Sequence, residues 1–266
     1  MNDSRNIGLW YTKDYYNNVK QNYIKSGLLS SEGWDEKLFN GALYENYLPS
    51  LSQIKSVECE HKFELKTIYP GLACGLGYKH EMGVSNEFKL GLYFDYTSGL
   101  PVIPGSSLKG VFKHAFEDSE YISDIIDTKF KKIEINKLKD DIFEGTKDNN
   151  LKINTYSRDC FFDAEIVASI QEKPLKTDEN MFLTDDYITC HQNSKDPQMT
   201  SFTEPNPVKF LKVRSNVIFQ FKFRLHDSLI GELKINPENK IDLFKRILLD
   251  LGVGAKTNVG YGQFIE

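Results

Sequence analysis

The stretch NVIFQFKFRL, residues 216–225, alternates between two faces. Phe219, Phe221, Phe223 and Leu225 fall on one side, and Gln220, Lys222 and Arg224 on the other. A period of two with large aromatics on one face is the pattern of a strand laid on a core. Downstream, PENKIDLFKRILLDLG (237–252) changes the period to that of a helix, with Ile241, Phe244, Leu248 and Leu251 as its apolar stripe. Its proline suits a first turn and its last glycine a C-cap. A short strand in YGQFIE follows.

Upstream lie two more strands, VKFLKV (208–213) and FFDAEIVAS (161–169). Before them, in GLPVIPGSSLKGVFKHAF (99–116), Leu108, Val111, Phe112, Ala115 and Phe116 form one helical stripe. HKFELKTIY (61–69) and EFKLGLYFDY (87–96) both alternate as half-buried strands, and either fits the place of a first strand. The order strand, helix, strand, strand, helix, strand predicts an α+β chain. It is that of a ferredoxin-like (RRM-like) βαββαβ core, an antiparallel sheet backed by two helices, here with large insertions.

The expected division is a helical extension over 1–55 and one domain over 56–266. Tyr16, Val19 and Tyr23 carry helical spacing in the extension, with Gly27 as a stop. An insertion of mixed charge at about 117–155 reads as surface. A second, at about 171–207, is rich in turn formers (KPLKTDEN, NSKDPQ, EPNP) and reads as a long excursion. Loops of that length are usually functional or ordered by a partner.

The 266 residues carry 33 basic and 38 acidic side chains, a formal net charge of −5. Nucleic-acid binding through overall charge is therefore excluded, and any such role must use local patches or partner subunits. No apolar run approaches the roughly 18–20 residues of a membrane span. The start, MNDSRNIGLWYTKDYYNN, has neither a basic head nor an apolar stretch, so no secretory signal is expected. Cys59, Cys74, Cys160 and Cys190 form no C-x-x-C pair, which argues against zinc and disulfides and for a reducing cytoplasm.

Two stretches suit anions. In PGSSLKG (104–110), a glycine and two serines open a helix, with Lys109 and Lys113 just inside. The plainer reading makes Ser106 or Ser107 an N-cap and leaves both lysines in solvent. In GVGAKTNVGYG (252–262), four glycines surround Lys256 and Thr257. This is not a nucleotide P-loop, because Ala255 precedes the lysine, a helix comes before it and a strand after it. Its glycines still permit close backbone approach, and its amides can form a phosphate nest. Two such loops beside one sheet suit a chain of phosphates.

These two stretches resemble the helix-entry motif and the C-terminal glycine-rich loop of the RAMP superfamily of CRISPR-associated proteins. NIGLWYTKDYY, LKTIYPGLACGLGYKHE, FFDAEI, ITCH and PNPVKFLKV, in that order, extend the likeness to the family of sixth subunits of the type III-B CRISPR effector, the Cmr complex. The resemblance implies a non-catalytic subunit with a modified ferredoxin-like fold. It would bind guide RNA toward its 3′ side and cap the backbone filament. The implied partners are guide (CRISPR) RNA and its target RNA duplex, together with the backbone RAMP, terminal RAMP and small helical subunits. No cofactor or metal is implied. Gly105, Ser106, Ser107, Lys109 and Lys113 match the helix-entry motif; Gly254, Lys256, Thr257, Asn258 and Tyr261 match the glycine-rich loop. Lys113 stands where many relatives have arginine, which weakens bidentate phosphate contact.

An endoribonuclease that processes guide RNA is the alternative, since metal-free cleavage needs an acid and a base at a 2′-hydroxyl. Of five histidines, His61 and His226 sit at predicted strand ends and read as surface residues, while His114 lies on the polar side of its helix. His80, beside Lys79 and Glu81, is the best catalytic candidate, with His191 of ITCH as a companion. The plainer role for His80 is a polar anchor in a loop. Asp95 and Asp163 read as strand residues without a partner carboxylate for a metal pair. The run 205–226 holds five basic residues and no acidic one, so Lys222 and Arg224 are candidates for an RNA groove. Tyr69 and Tyr78 are candidates for base stacking.

Overall fold

The structure is a computed structural model. It describes residues 7–14, 59–77, 88, 90–126, 132–147, 151–169, 182–190 and 206–266. The elements that place the site are β1 (His61–Thr67), α1 (Gly105–Ala115), β2 (Ala164–Ser169), β3 (Leu183–Cys190), β4 (Asn206–Val213), β5 (Val217–Arg224), α2 (Pro237–Leu251) and β6 (Phe264–Ile265).

The main sheet runs β6–β1–β5–β2, and every neighbouring pair is antiparallel. Val102–Ile103 extends the β2 edge, and Cys160–Phe161 pairs with the end of β5. The β1–β5 register sets Phe63 opposite Phe221 and Leu65 opposite Phe219. Phe219, Phe221 and Phe223 are fully buried, as the alternation requires. Both helices cover the same apolar face, and their Phe112 and Phe244 rings stack with centroids 4.5 Å apart. Such ring contacts add to the burial of their large apolar area.

The capping of α2 is encoded locally. Asn236 accepts from the Asn239 amide, the Asn239 side chain returns the bond, Pro237 occupies the first turn, and Gly252 ends the helix at φ 68°. This is a reciprocal capping box with a proline start. The buried stripe is rotated from the predicted one. Leu243, Phe244, Ile247 and Leu248 are buried with the stem of Lys240, whereas Leu251 is exposed.

The sequence reading is corrected at several other places. The first strand is 61–67; the described residues of the alternating stretch 87–96 make isolated bridges, Leu90 to Phe210 and Phe94 to Pro101. Phe88 and Leu92 are nonetheless buried, so the alternation reports core contact without a ladder. Asp95 lies in a turn, where its carboxylate accepts from the Thr97 and Ser98 amides. Asp163 likewise falls between strands.

The segment 117–155 is not a surface appendage. It forms helices Ser119–Ile126 and Lys132–Lys139 and a π-helical turn, Asp140–Glu144, whose Ile122, Ile135, Leu138, Ile142 and Phe143 join the core. Within the expected long excursion, residues 183–190 are β3. It forms a separate hairpin with β4 over eight residue pairs, from Leu183↔Val213 to Cys190↔Asn206. Thr, Asp and Tyr in LTDDYITC hid that strand. The expected helix at 16–23 and residues Tyr78, Lys79, His80 and His191 lie outside the described residues.

Candidate nucleic-acid interface

Neither serine caps α1. Its N-cap is Pro104, without a side-chain cap, and the Gly105 amide donates to Asp163 Oδ1 at 2.8 Å. The helix start thus already faces an anion, a carboxylate from the end of the neighbouring strand segment. Gly105 is required by packing, because a Cβ there would lie 2.2 Å from the Phe161 carbonyl oxygen. Ser106 is exposed, and Ser107 is half-buried in the first turn.

The glycine-rich loop is also held backbone to backbone. Val253 donates to Gly262 at 2.9 Å, Ala255 to Ala73 at 2.7 Å and Gly262 to Gly71 at 2.8 Å. At Gly254, with φ 101°, a Cβ would come within 2.6 Å of the Ala73 carbonyl oxygen. The second glycine cluster, GLACG, is therefore the partner of the first. Lys256 adopts the left-handed conformation at φ 63° and opens a 3₁₀ turn, Thr257–Val259, with its side chain in solvent.

Between α1 and this loop runs a cleft of about 670 Å³, floored by Cys74–Gly77. Ser107, Gly254, Thr257 and Asn258 all line it, so the two predicted loops do meet. Gly110, Val111 and His114 complete the α1 wall. Their spacing from Ser107 is three, four and seven residues, which puts all four on one helix face.

The other candidates lie elsewhere. On a helix turning roughly 100° per residue, Lys109 and Lys113 occupy a different flank from that face. Lys113 ion-pairs with Glu144 at 2.6 Å. That bond, helped by the charges of Lys113 and Lys109, holds the Glu144 carboxyl below its usual range, and it raises Lys113.

Tyr261 turns to the β3–β4 hairpin, donating to Asp186 Oδ2 at 2.6 Å, and Lys212 bonds the same oxygen. Lys222 is buried against Glu165 at 2.7 Å rather than displayed beside Arg224, whose Nη2 meets Cys160 Sγ at 2.9 Å. Strand alternation misled here because both faces of β5 are covered at that point. Tyr69 is 83% exposed, with the Lys212 ammonium 5.9 Å from its ring centroid. His226 is not a surface residue either; its Nε2 is buried without a partner among the described residues, and it lines one small pocket with the ion-paired Lys240 and Asp159.

The cleft lining, among the described residues, includes no carboxylate to pair with His114. No cluster of three or more potential metal ligands occurs among the described residues. No described helix is long and apolar enough to cross a membrane.

An antiparallel sheet under two helices, with a glycine-rich loop and a helix start sharing one cleft, defines a class of protein. The chain belongs to the RAMP superfamily, whose family model matches residues 64–265. More particularly, it is 26% identical over 262 residues to the CRISPR system Cmr subunit Cmr6 of Pyrococcus furiosus, across 84% of this chain and 72% of that one. It is also similar to a chain in the cryo-EM structure of a type III-B Cmr-beta complex bound to cognate target RNA. There the TM-score is 0.50 at 25% identity over 76% of this chain, which spans 56% of the matched one. The crystal structure of Pyrococcus furiosus Cmr6 matches with a TM-score of 0.42 at 23% identity, covering 77% of this chain and 97% of that one.

Proposed function

We propose that this chain is a non-catalytic RAMP subunit of a type III-B CRISPR-Cas complex that binds guide RNA in the α1–glycine-loop cleft. The observation that carries the reading is the convergence of Ser107 with Thr257 and Asn258 on one groove, from loops about 150 residues apart in sequence. The similarity to Cmr6 and to a chain of a complex bound to target RNA supports the assembly. In this reading the subunit acts in the cytoplasm, sits toward the 3′ side of the guide and caps the backbone filament. Its partners are the guide–target duplex and the backbone, terminal and small helical subunits. The domain spans 56–266 after a helical extension. The sheet order β6–β1–β5–β2, with α1 after β1 and α2 after β5, supports a ferredoxin-like βαββαβ core.

The phosphate contacts are assigned to Lys256 at the exposed loop and to backbone amides, rather than to Lys113, which Glu144 holds. The test is to express the host complex with Ser107→Ala/Thr257→Val/Lys256→Ala and sequence the RNA that co-purifies. Loss of guide 3′ segments from an otherwise folded subunit is the expected result. Unchanged guide retention across a salt series would refute the reading.

A further inference from the structure

The chemistry of the cleft lining goes beyond RNA binding as such. Among the described residues, no Lys, Arg, Asp or Glu lines it; Ser107, Thr257 and Asn258 supply two hydroxyls and a carboxamide, beside the Tyr93 phenol and the His114 imidazole, between apolar walls that include Val111 and Val253. Lys113 is drawn off by Glu144 at 2.6 Å, and Lys256 stands exposed outside the lining. A phosphate oxygen only accepts hydrogen bonds and carries charge, whereas hydroxyls and carboxamides both donate and accept. Base edges and the ribose 2′-hydroxyl both do so, but only the 2′-hydroxyl offers it at every nucleotide whatever the base, and it is the group that separates RNA from DNA.

The polar groups are rigidly placed. Ser107 sits on a turn fixed by the Gly105–Asp163 bond. Thr257 and Asn258 sit on a 3₁₀ turn closed by the Val259–Lys256 and Gly260–Thr257 hydrogen bonds. A volume of about 670 Å³ accommodates a nucleoside. We propose that the cleft grips the ribose edge of the strand through Ser107, Thr257 and Asn258 and so selects RNA over DNA, with the phosphates at the rim beside Lys256. This rests on the RNA-binding reading above.

The full-length chain is titrated with a labelled oligouridine strand, its all-2′-deoxy counterpart and its 2′-O-methyl counterpart. The RNA strand is expected to bind tighter than either modified strand, by roughly three- to tenfold per hydroxyl contacted. Ser107→Ala/Thr257→Val erases the preference and leaves the salt dependence unchanged. Thr257→Ser, which keeps the hydroxyl, retains the preference. Lys256→Ala weakens all three strands alike. Equal binding of the RNA and deoxy strands by the unaltered chain overturns the sugar reading alone, as does a preference that survives the double variant. Binding of none of the strands overturns the RNA-binding reading and this inference with it.

Discussion

Asp163 caps the helix that Gly105 begins: the Gly105 amide donates to its carboxylate at 2.8 Å, while the N-cap residue itself, Pro104, has no capping side chain. A carboxylate at this end satisfies an orphan donor and meets the positive end of the helix dipole. Asp163→Ala is expected to cost about 1–2 kcal/mol in urea unfolding. Asp163→Asn keeps the acceptor without the charge and is expected to cost less than half of that. Equal losses for the two variants would show that the hydrogen bond contributes nothing.

Two glycines five residues apart in the same motif behave oppositely. At Gly105 an added Cβ meets the Phe161 carbonyl oxygen at 2.2 Å, whereas at Gly110 it meets nothing within 4 Å. Gly105→Ala is expected to destabilise by about 1–3 kcal/mol, through forced movement of the β2 approach. Gly110→Ala, in mid-helix, is expected to stabilise by roughly 0.5–1 kcal/mol. Because Gly110 lines the cleft, the same substitution is expected to weaken RNA binding, so thermal melting and RNA titration move in opposite senses.

Lys240 and Asp159 form a buried pair, with side chains 1% and 3% exposed, and Lys240 also donates to the His226 carbonyl at 2.7 Å. Burial raises the Asp159 pKa even though Lys240 and the His226 amide lower it. Lys240→Met leaves that carboxylate uncompensated and is expected to cost about 3–5 kcal/mol, with Asp159→Asn/Lys240→Met recovering most of the loss. A raised folded-state pKa means the folded form binds the proton more tightly. The stability of Lys240→Met is therefore expected to rise as pH falls through the folded value, read from urea midpoints across acidic pH.

Asp186 fastens the β3–β4 hairpin to the glycine-rich loop. Partial burial raises its pKa, but hydrogen bonds from Lys212, Tyr261 and the Tyr187 amide outweigh it and hold the carboxyl below its ordinary 3.8. The stabilisation is complete above that value and is lost as pH falls through the folded one. Hydrogen exchange in β3 and β4 is expected to lose protection over that acid range, and Asp186→Asn to lose it at neutral pH as well. Protection unaffected by Asp186→Asn would remove the clasp.

What the sequence disclosed follows from how locally each feature is encoded. The aromatic face of β5 and both helix periods survive in the structure because a buried face dictates each, although Lys222 on the other side of β5 is covered too. β3 was illegible since, among the described residues, LTDDYITC pairs with β4 alone, and its acids are answered by Lys209 and Lys212 across the hairpin. The two glycine clusters were legible as loops, but their mutual backbone zipper is a long-range contact between 71–73 and 253–262. Lys109 and Lys113 misled because charge in a motif says nothing of its flank, and Glu144 stands on the flank they occupy.

That distinction between Lys113 and Lys256 is open to a direct measurement. Lys113 is exposed but ion-paired with Glu144, whereas Lys256 has no ion pair among the described residues and projects into solvent beside Thr257 of the cleft. A cation that neutralises a phosphate releases a counterion, and for single strands each such contact contributes about 0.7 to the slope of log K against log salt. Lys256→Ala is expected to lower that slope by about 0.7 and to weaken binding regardless of sequence. Lys113→Ala is expected to leave slope and affinity unchanged and to alter stability little, since exposed ion pairs contribute little. The converse result, a slope carried by Lys113, would move the strand from the cleft to the Glu144 flank of α1.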